Sequence, residues 1–298
     1  MKFIVIVLGI LLLQRMGSLA ALQQDRWFSG WVVKLSGFKW LKPDSCGRPL
    51  LSLLVPVFLL VFTLFLLDDV WFGIPILLLS FLVFLYSLGR GDLKEQISGY
   101  RDDLARDDLQ AAYHDAAEFN SANEEGVAEN WEQLQTEVRS AISYRYFERY
   151  FAVMFWFILA GAPGALLYRL VVLYSGVTLD EEQQKADSQL VKRWLYLLEW
   201  LPTRLLGLSL AFVGNFTACL TNWRSTLLVD STGAMGVIGG YVTATLQSGS
   251  GALDSDIGGD MDSPGAIKRE LEVTELKALF SRTLIFSLCM VAFLVILI

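Results

Sequence analysis

Two uncharged apolar runs constrain this chain more than any other feature. Residues 50–67 and 71–88 each extend over eighteen positions without a charged side chain. A helix needs about 20 mostly apolar residues to cross the hydrocarbon core of a bilayer. The two runs flank a short acidic stretch at 68–70. They therefore predict a transmembrane helical hairpin.

Further apolar runs extend this prediction to the whole chain. Residues 151–174 are interrupted only by Arg169, residues 195–220 only by Glu199 and Arg204, and residues 283–298 carry no charge. Hydrophobic residues make up 54% of the 298, against 18% charged. We predict an all-α, polytopic helical membrane protein. The apolar run at 3–13 suits a signal peptide, but the polar Gln-Arg that follows at 14–15 favours a retained, short or partly inserted helix.

The basic residues predict the orientation. Residues 14–49 carry six Lys or Arg against two Asp, whereas the hairpin turn at 68–70 is acidic. Lys and Arg concentrate on the cytoplasmic side of membrane spans. We therefore expect residues 14–49 and 89–149 to be cytoplasmic, in a bacterial inner-membrane protein. Aromatic residues between these basic ones, such as Trp27 and Trp31, suit an interfacial helix on the inner leaflet.

The insert at 89–149 is acidic, with seven Lys or Arg against fourteen Asp or Glu. Apolar residues at helical spacing predict two amphipathic helices, over 93–109 and 127–142, joined by a polar stretch at 120–126. The acidic pairs at 102–103 and 107–108, and a Gly-rich loop at 248–265 with four aspartates, lack a compact ligand motif. No metal site is predicted, and no cofactor is assigned.

These patterns divide the chain into six regions. They are an apolar helix with a basic interfacial segment (1–49), a transmembrane hairpin (50–88), an acidic cytoplasmic insert (89–149), further transmembrane helices (150–220), a Gly-rich cytoplasmic loop and helix (221–282), and a C-terminal transmembrane helix (283–298).

Charged residues in or beside the spans are the first candidates for a site. Ionisable groups within a membrane are costly, so they face a cavity or one another. The candidates are Glu148, Arg169, Glu199 and Arg204. In the structural alternative, Glu148 and Arg169 are interfacial and reach water, while Glu199 and Arg204 form an internal ion pair.

A glycine-rich segment is the second candidate. Gly233, Gly236, Gly239 and Gly240 precede Tyr241. A glycine-rich turn exposes backbone N–H groups that bind phosphate. The segment is neither a P-loop nor a dinucleotide-binding fingerprint.

Three motifs in order resemble a known superfamily. They are Phe-Trp followed by Gly-Ala-Pro-Gly-Ala-Leu-Leu-Tyr-Arg at 155–169, Leu-Pro-Thr-Arg-Leu at 201–205, and Gly-Ala-Met-Gly-Val-Ile-Gly-Gly-Tyr at 233–241. Each is similar to a segment of the CobD/CbiB-like membrane proteins of cobalamin biosynthesis, and the resemblance covers about residues 140 to 245. The resemblance implies a membrane fold of the same kind.

Departures from that pattern point to one branch of the superfamily. The acidic and His-Pro-Val motifs near the N-terminus of the biosynthetic enzymes are missing, and only Glu148 remains of the acids before the Phe-Trp span. Their Asp-Asp before the Leu-Pro motif falls at Leu195-Tyr196. The chain is identified as a member of the AmpE family, which is linked to β-lactamase induction.

The resemblance implies a non-enzymatic sensor of β-lactamase induction and cell-wall stress. It would bind a small anionic ligand, a nucleotide or a muropeptide, in a cytoplasm-facing cavity containing the charged and glycine candidates. The alternatives are a synthase-like enzyme that forms amides with ATP and, less favoured, a small transporter. The lipid bilayer is the expected partner, self-association stays open, and the net charge of −7 argues against nucleic acid.

Overall fold

A computed structural model of the chain describes residues 2–16, 23–37, 47–67, 73–89, 93–106, 108–119, 131–177, 181–227, 233–253 and 264–297. Over these residues the secondary structure is helical, which confirms the predicted all-α class. The helices are α1 (Lys2–Met16), α2 (Arg26–Ser36), α3 (Gly47–Leu66), α4 (Ile74–Ser87), α5 (Leu93–Ala105), α6 (Leu109–Phe119), α7 (Trp131–Tyr146), α8 (Val153–Ser175), α9 (Glu181–Val213), α10 (Phe216–Thr226), α11 (Ala234–Leu253) and α12 (Pro264–Leu297), with a π-helical turn at Phe147–Ala152 between α7 and α8.

Four helical stretches are long and apolar enough to cross a membrane: Gly47–Leu66, Trp131–Ser175, Gln189–Val213 and Arg269–Phe293. This confirms a multi-pass helical membrane protein. The second half of the predicted hairpin is shorter than the sequence indicated, because α4 has only 14 residues. Its predicted turn at 68–70 lies outside the described residues.

The first compact unit comprises Met1–Gly91 and Arg149–Glu199. Helix α8 is its centre and contacts α1, α2, α3 and α4. The rings of Phe84 on α4 and Phe157 on α8 lie 4.7 Å apart. Gly9 allows α1 to approach α4 closely, because a Cβ at this position would lie 2.7 Å from the Phe84 ring.

The second compact unit comprises Asp92–Glu148 and Trp200–Ile298. Helix α7 contacts α6, α11 and α12, while α5 contacts α6 and α12, and α10 contacts α11. Tyr146 on α7 and Phe280 on α12 stack with their centroids 4.9 Å apart. This unit therefore contains both polar helices of the insert and apolar helices from the C-terminal half.

Two predictions on the polar segments need correction. The helix predicted over 93–109 ends earlier, at Ala105, and a separate helix, α6, begins at Leu109. Asp108 accepts hydrogen bonds from the N–H groups of Gln110 and Ala111 and so caps the start of α6. The loop predicted at 248–265 is helical at both ends, where α11 ends and α12 begins. Residues 120–130 and 254–263 lie outside the described part of the chain.

Pro163 and Pro202 lie inside helices, and a side chain of another helix donates to a backbone carbonyl about one turn before each proline. Pro202 has no N–H for the carbonyl of Leu198, four residues earlier. The indole N–H of Trp156 donates to that carbonyl over 3.2 Å. Helix α8 breaks at Gly161, which has φ 71° and ψ −159°, just before Pro163. There the Lys2 ammonium donates to the Ile158 carbonyl over 3.2 Å.

Candidate functional site

Arg204 is a charged side chain of the second unit that is buried within a candidate membrane span. Helix α9 carries it within the candidate span Gln189–Val213, and only 4% of the residue is exposed. Its Nη2 donates to the carbonyl of Thr226, the last residue of α10, over 2.9 Å. The guanidinium also lies 5.3 Å from the ring centroid of Trp200.

Packing between α9, α10 and α11 fixes the position of this side chain. The Trp223 indole donates to the Arg204 carbonyl over 2.9 Å. The hydroxyls of Thr226 and Tyr241 lie 2.8 Å apart. Gly207 faces the Tyr241 ring so closely that a Cβ at this position would lie 2.5 Å from it. The three helices therefore hold Arg204 in one orientation.

The charge of Arg204 is only partly balanced. Its Nε is buried and has no hydrogen-bond partner in the part of the chain that the structure describes. Among the residues that the structure describes in this unit, no carboxylate forms an ion pair with it. The Thr226 carbonyl carries the partial negative charge of a helix C-terminus, which stabilises a cation. That partial charge is smaller than the charge of the guanidinium, so the site retains a net attraction for an anion.

The glycine segment is not the turn that the sequence predicted. Gly236, Gly239 and Gly240 lie within α11, and Gly233 immediately precedes it. The amide of Gly236 donates to the Gly233 carbonyl over 3.1 Å. The amides of Gly239 and Gly240 lie too far into the helix to be free for phosphate, because only the first four N–H groups of a helix lack an intrahelical partner.

These glycines instead allow close helix packing. A Cβ at Gly239 would lie 2.5 Å from the Ser140 hydroxyl on α7. A Cβ at Gly240 would lie 3.1 Å from the Asn222 amide on α10. Gly240 precedes Tyr241, whose hydroxyl lies beside Thr226. The segment therefore shapes the surroundings of Arg204.

Glu148 belongs to the second unit as well. It lies in the π-helical turn and its carboxylate is 3.6 Å from the Arg145 guanidinium. Arg145 also donates to the Phe119 carbonyl over 3.1 Å. The contact between Glu148 and Arg145 joins neighbours on one helix face, three residues apart.

Arg169 and Glu199 lie in the first unit, and both have close partners there. Arg169 forms an ion pair with Asp25, with Nη2 and Oδ2 3.0 Å apart. Its guanidinium lies beside Gly89, where a Cβ would be 3.1 Å away. Glu199 accepts a hydrogen bond from the Tyr168 hydroxyl over 3.0 Å. Of the four charged candidates, Arg169 and Glu199 thus lie in the first unit, and Glu148 and Arg204 lie in the second.

Sequence reasoning missed a buried cluster in the first unit. Arg48 at the start of α3 lies 3.5 Å from Asp187 on α9, and their side chains are 1% and 4% exposed. The Tyr174 hydroxyl donates to the same carboxylate over 3.0 Å. Burial raises the pKa of the Asp187 carboxyl, against the hydrogen bond from Tyr174 and the charge of Arg48. The sequence gives no sign that Asp187 is buried, because it lies in a polar stretch where charged residues are common.

Metal-ligating side chains add no further candidate site among the described residues. In the ranges given for the structure, no group of three His, Cys, Asp or Glu side chains lies close enough to hold a metal ion. The aspartates of the predicted 254–262 loop and Asp107 lie outside those ranges.

Comparison with known proteins finds one matching family model and relatives with two different names. The family model described as "Regulatory signalling modulator protein AmpE" matches residues 7–245. A cobalamin biosynthesis protein CobD from Stutzerimonas stutzeri is 31% identical over 69% of this chain and 63% of its own length. Protein AmpE from Shigella flexneri is 25% identical over 64% of this chain and 68% of its own length.

A second CobD protein, from Chromobacterium violaceum, is 27% identical over 58% of this chain and 53% of its own length. The matched region thus spans less than two thirds of either CobD relative. No solved structure matches the chain. The family match covers residues 7–245, most of the chain, and includes Arg204 together with Trp223, Thr226 and Tyr241 beside it, and the chain belongs to the AmpE family.

Proposed function

We propose that this chain is a regulatory membrane protein that senses an anionic ligand through Arg204 and so acts in β-lactamase induction and cell-wall stress. The observation that carries the proposal is the burial of the Arg204 guanidinium without a neutralising partner among the described residues. Its guanidinium is buried within a candidate span, and among the described residues its Nε has no hydrogen-bond partner and no carboxylate pairs with it. A charged group in the membrane marks a ligand pathway unless it is neutralised by a partner.

The family match supports the regulatory part of the proposal. The matching family is described as a signalling modulator. A sensor needs a binding site but no catalytic group, and Arg204 is surrounded by aromatic rings and a helix C-terminus. We assign the ligand to the nucleotides or the muropeptides, and we place the ligand site on the cytoplasmic side.

The other sequence candidates take different roles in this proposal. Arg169 is neutralised by Asp25 and Glu199 accepts from Tyr168. We assign both to holding the first unit together. The glycines at 239 and 240 set the distance between α11 and its neighbours. Arg204 is therefore the residue by which we test the proposal.

The test is ligand binding by the purified full-length protein in detergent. Nucleotides and muropeptides are screened by thermal shift, and the affinity of each hit is measured for the wild type, Arg204→Gln and Arg224→Gln. Glutamine retains a donor for the Thr226 carbonyl but lacks the charge. Arg224 is an exposed arginine on α10 and serves as the matched control. We expect Arg204→Gln to fold and to lose binding roughly tenfold or more, while Arg224→Gln binds like the wild type.

A purely structural role for Arg204 gives the opposite pattern. In that case Arg204→Ala unfolds, and Arg204→Met, which fills a similar volume without a charge, recovers both the folded protein and β-lactamase inducibility in cells. Recovery of inducibility in Arg204→Met would therefore exclude Arg204 as a ligand residue.

The second candidate function is a synthase-like membrane enzyme. It is favoured by one observation, the 31% identity to a CobD protein of cobalamin biosynthesis. Its test is complementation of a strain that lacks the cobinamide-phosphate synthase. Growth that depends on cobalamin and is restored by this chain would establish the enzyme function. Failure to restore growth, together with altered β-lactamase induction on deletion, is the result that we expect.

A further inference from the structure

Helix α2 packs one face against the first unit and leaves the opposite face open. Phe28, Val32 and Leu35 are buried, and α2 contacts α3 and α8. A Cβ at Gly30, on the opposite side, would meet no atom within 4 Å. The exposed residues form the outer face of α2: Arg26, Trp27, Ser29, Gly30, Val33 and Lys34. In the part of the chain that the structure describes, this outer face is therefore largely uncovered.

The outer face carries positive charge and no negative charge. Arg26 and Lys34 are eight residues apart, which separates them by about 12 Å along the helix axis. Helix α2 contains no Asp or Glu. The carboxylate of Asp25, immediately before the helix, forms an ion pair with Arg169 over 3.0 Å. An anionic partner at this face therefore meets two cations, and the adjacent carboxylate is already neutralised.

Two large apolar side chains accompany the cations. Trp27 is 48% exposed and Val33 is 53% exposed. The Trp27 indole donates to the Tyr86 hydroxyl over 3.0 Å. Tyr86 lies two residues before the end of the uncharged run at 71–88, and Arg90 follows that run. Because Trp and Tyr concentrate at the level of the lipid headgroups, this pair indicates that α2 begins at a surface of the membrane.

The outer face is too small for a stable contact with another protein. An α-helix of 11 residues is about 16 Å long and about 10 Å wide. Its outer face thus covers far less than the roughly 800 Å² that each partner contributes to a standard protein interface. Lipid headgroups are small enough to pair one by one with Arg26 and Lys34.

We propose that the outer face of α2 binds anionic phospholipids of the surrounding bilayer. Arg26 and Lys34 pair with lipid phosphate groups, and Trp27 and Val33 contact the glycerol groups and the first methylenes of the acyl chains. A basic helix with exposed apolar side chains binds an anionic membrane surface through both kinds of contact. The inference does not depend on Arg204 or on its ligand.

Lipid binding at this face has a consequence for the first unit. The lipid holds α2 in the docked position in which Asp25 pairs with Arg169 and Trp27 donates to Tyr86. A ligand that binds only the folded state stabilises it by mass action. The stability of the first unit therefore depends on the anionic lipid content of the membrane.

The test is native mass spectrometry of the full-length protein in a neutral detergent. The protein is titrated with phosphatidylglycerol or with phosphatidylcholine of the same acyl chains. The variants are Arg26→Gln, Lys34→Gln, their combination, and the charge-retaining pair Arg26→Lys with Lys34→Arg. The control with the same loss of charge is Lys94→Gln with Arg106→Gln, at two exposed residues of the insert. Thermal melts without added lipid show that each variant is folded.

We expect the wild type to prefer phosphatidylglycerol. Each basic residue near an anionic surface contributes a factor of roughly five, so the neutral double variant should bind this lipid roughly tenfold or more weakly. The single variants should each lose about fivefold, while the charge-retaining pair and the control bind like the wild type. Added salt should weaken binding to the wild type more than to the neutral double variant, because salt screens exposed charges.

Three results would each overturn the inference. The first is equal binding of the two lipids by the wild type. The second is unchanged binding of phosphatidylglycerol by the neutral double variant, or an equal loss in the control. The third is a dimer mass that disappears in the neutral double variant without any dependence on lipid, since a second copy of the chain would then occupy the outer face of α2.

Discussion

Removal of Asp187 should destabilise the first unit by several kcal/mol. In the wild type, Arg48 and Asp187 form an ion pair over 3.5 Å, with side chains that are 1% and 4% exposed. The change Asp187→Leu removes the carboxylate and leaves the guanidinium buried. Breaking a buried ion pair by removal of one partner costs about 3–5 kcal/mol. We expect a decrease of this size in the free energy of unfolding.

Replacing both charges should recover most of that loss. The double variant Arg48→Met with Asp187→Leu contains no buried charge at this place, and apolar replacement of a buried pair is often neutral. One cost remains, because the Tyr174 hydroxyl donates to Asp187 over 3.0 Å and loses this acceptor. An unsatisfied buried donor costs about 1–3 kcal/mol. The triple variant with Tyr174→Phe should therefore come closest to the wild type.

The assay is reversible unfolding in mixed detergent micelles, followed by tryptophan fluorescence. The matched control is the pair of Arg101 and Glu270, 3.6 Å apart, whose side chains are 43% and 39% exposed. Exposed pairs contribute about 0–1 kcal/mol, so Glu270→Gln should have a small effect. If Asp187→Leu costs no more than Glu270→Gln, or if the double variant is no more stable than Asp187→Leu, the reasoning from burial is refuted.

Three shorter predictions test other parts of the chain. Gly161→Ala should destabilise the protein by about 1–3 kcal/mol, because an alanine is strained at φ 71° and ψ −159°, whereas Gly176→Ala at φ −98° should be neutral in the same thermal melts. Burial and the charge of Asp115 raise the pKa of Asp103 above its ordinary 3.8. The folded state thus binds more protons than the unfolded one. Stability should therefore fall as the pH rises from 3.8 through the raised pKa of Asp103 in the folded protein. Asp103→Asn should remove that fall from a pH series of thermal melts. A cysteine introduced at Asn123 should resist impermeant reagents outside intact cells, and ready labelling there would reverse the predicted orientation.

The membrane helices were predictable because their signal is local. The predicted run at 50–67 lies almost entirely in α3, and the apolar run at 151–174 covers most of α8. Length and the absence of charge suffice for such helices, since each must satisfy its backbone hydrogen bonds internally. The second helix of the hairpin, α4, has 14 residues and is shorter than the predicted run of 18. Gly73 adopts φ 76°, and the helix begins only after it.

The site was less predictable because its chemistry depends on contacts distant in sequence. Arg204 was recognised from its apolar surroundings, but its contact with the Thr226 carbonyl depends on where α10 ends. The glycines at 239 and 240 were misinterpreted because glycine serves both exposed turns and close helix packing. Only the neighbouring Ser140 and Asn222 distinguish these two uses.

The ion pair between Asp25 and Arg169 has a consequence for how the chain is made. The two residues are 144 positions apart. At about 5–20 residues per second, a ribosome adds Arg169 roughly 7 to 30 s after Asp25. During this interval α3 and α4 are synthesised, while the Asp25 carboxylate still lacks the cation of Arg169. The pair can close only after α8 is made, so this contact of the first unit forms late.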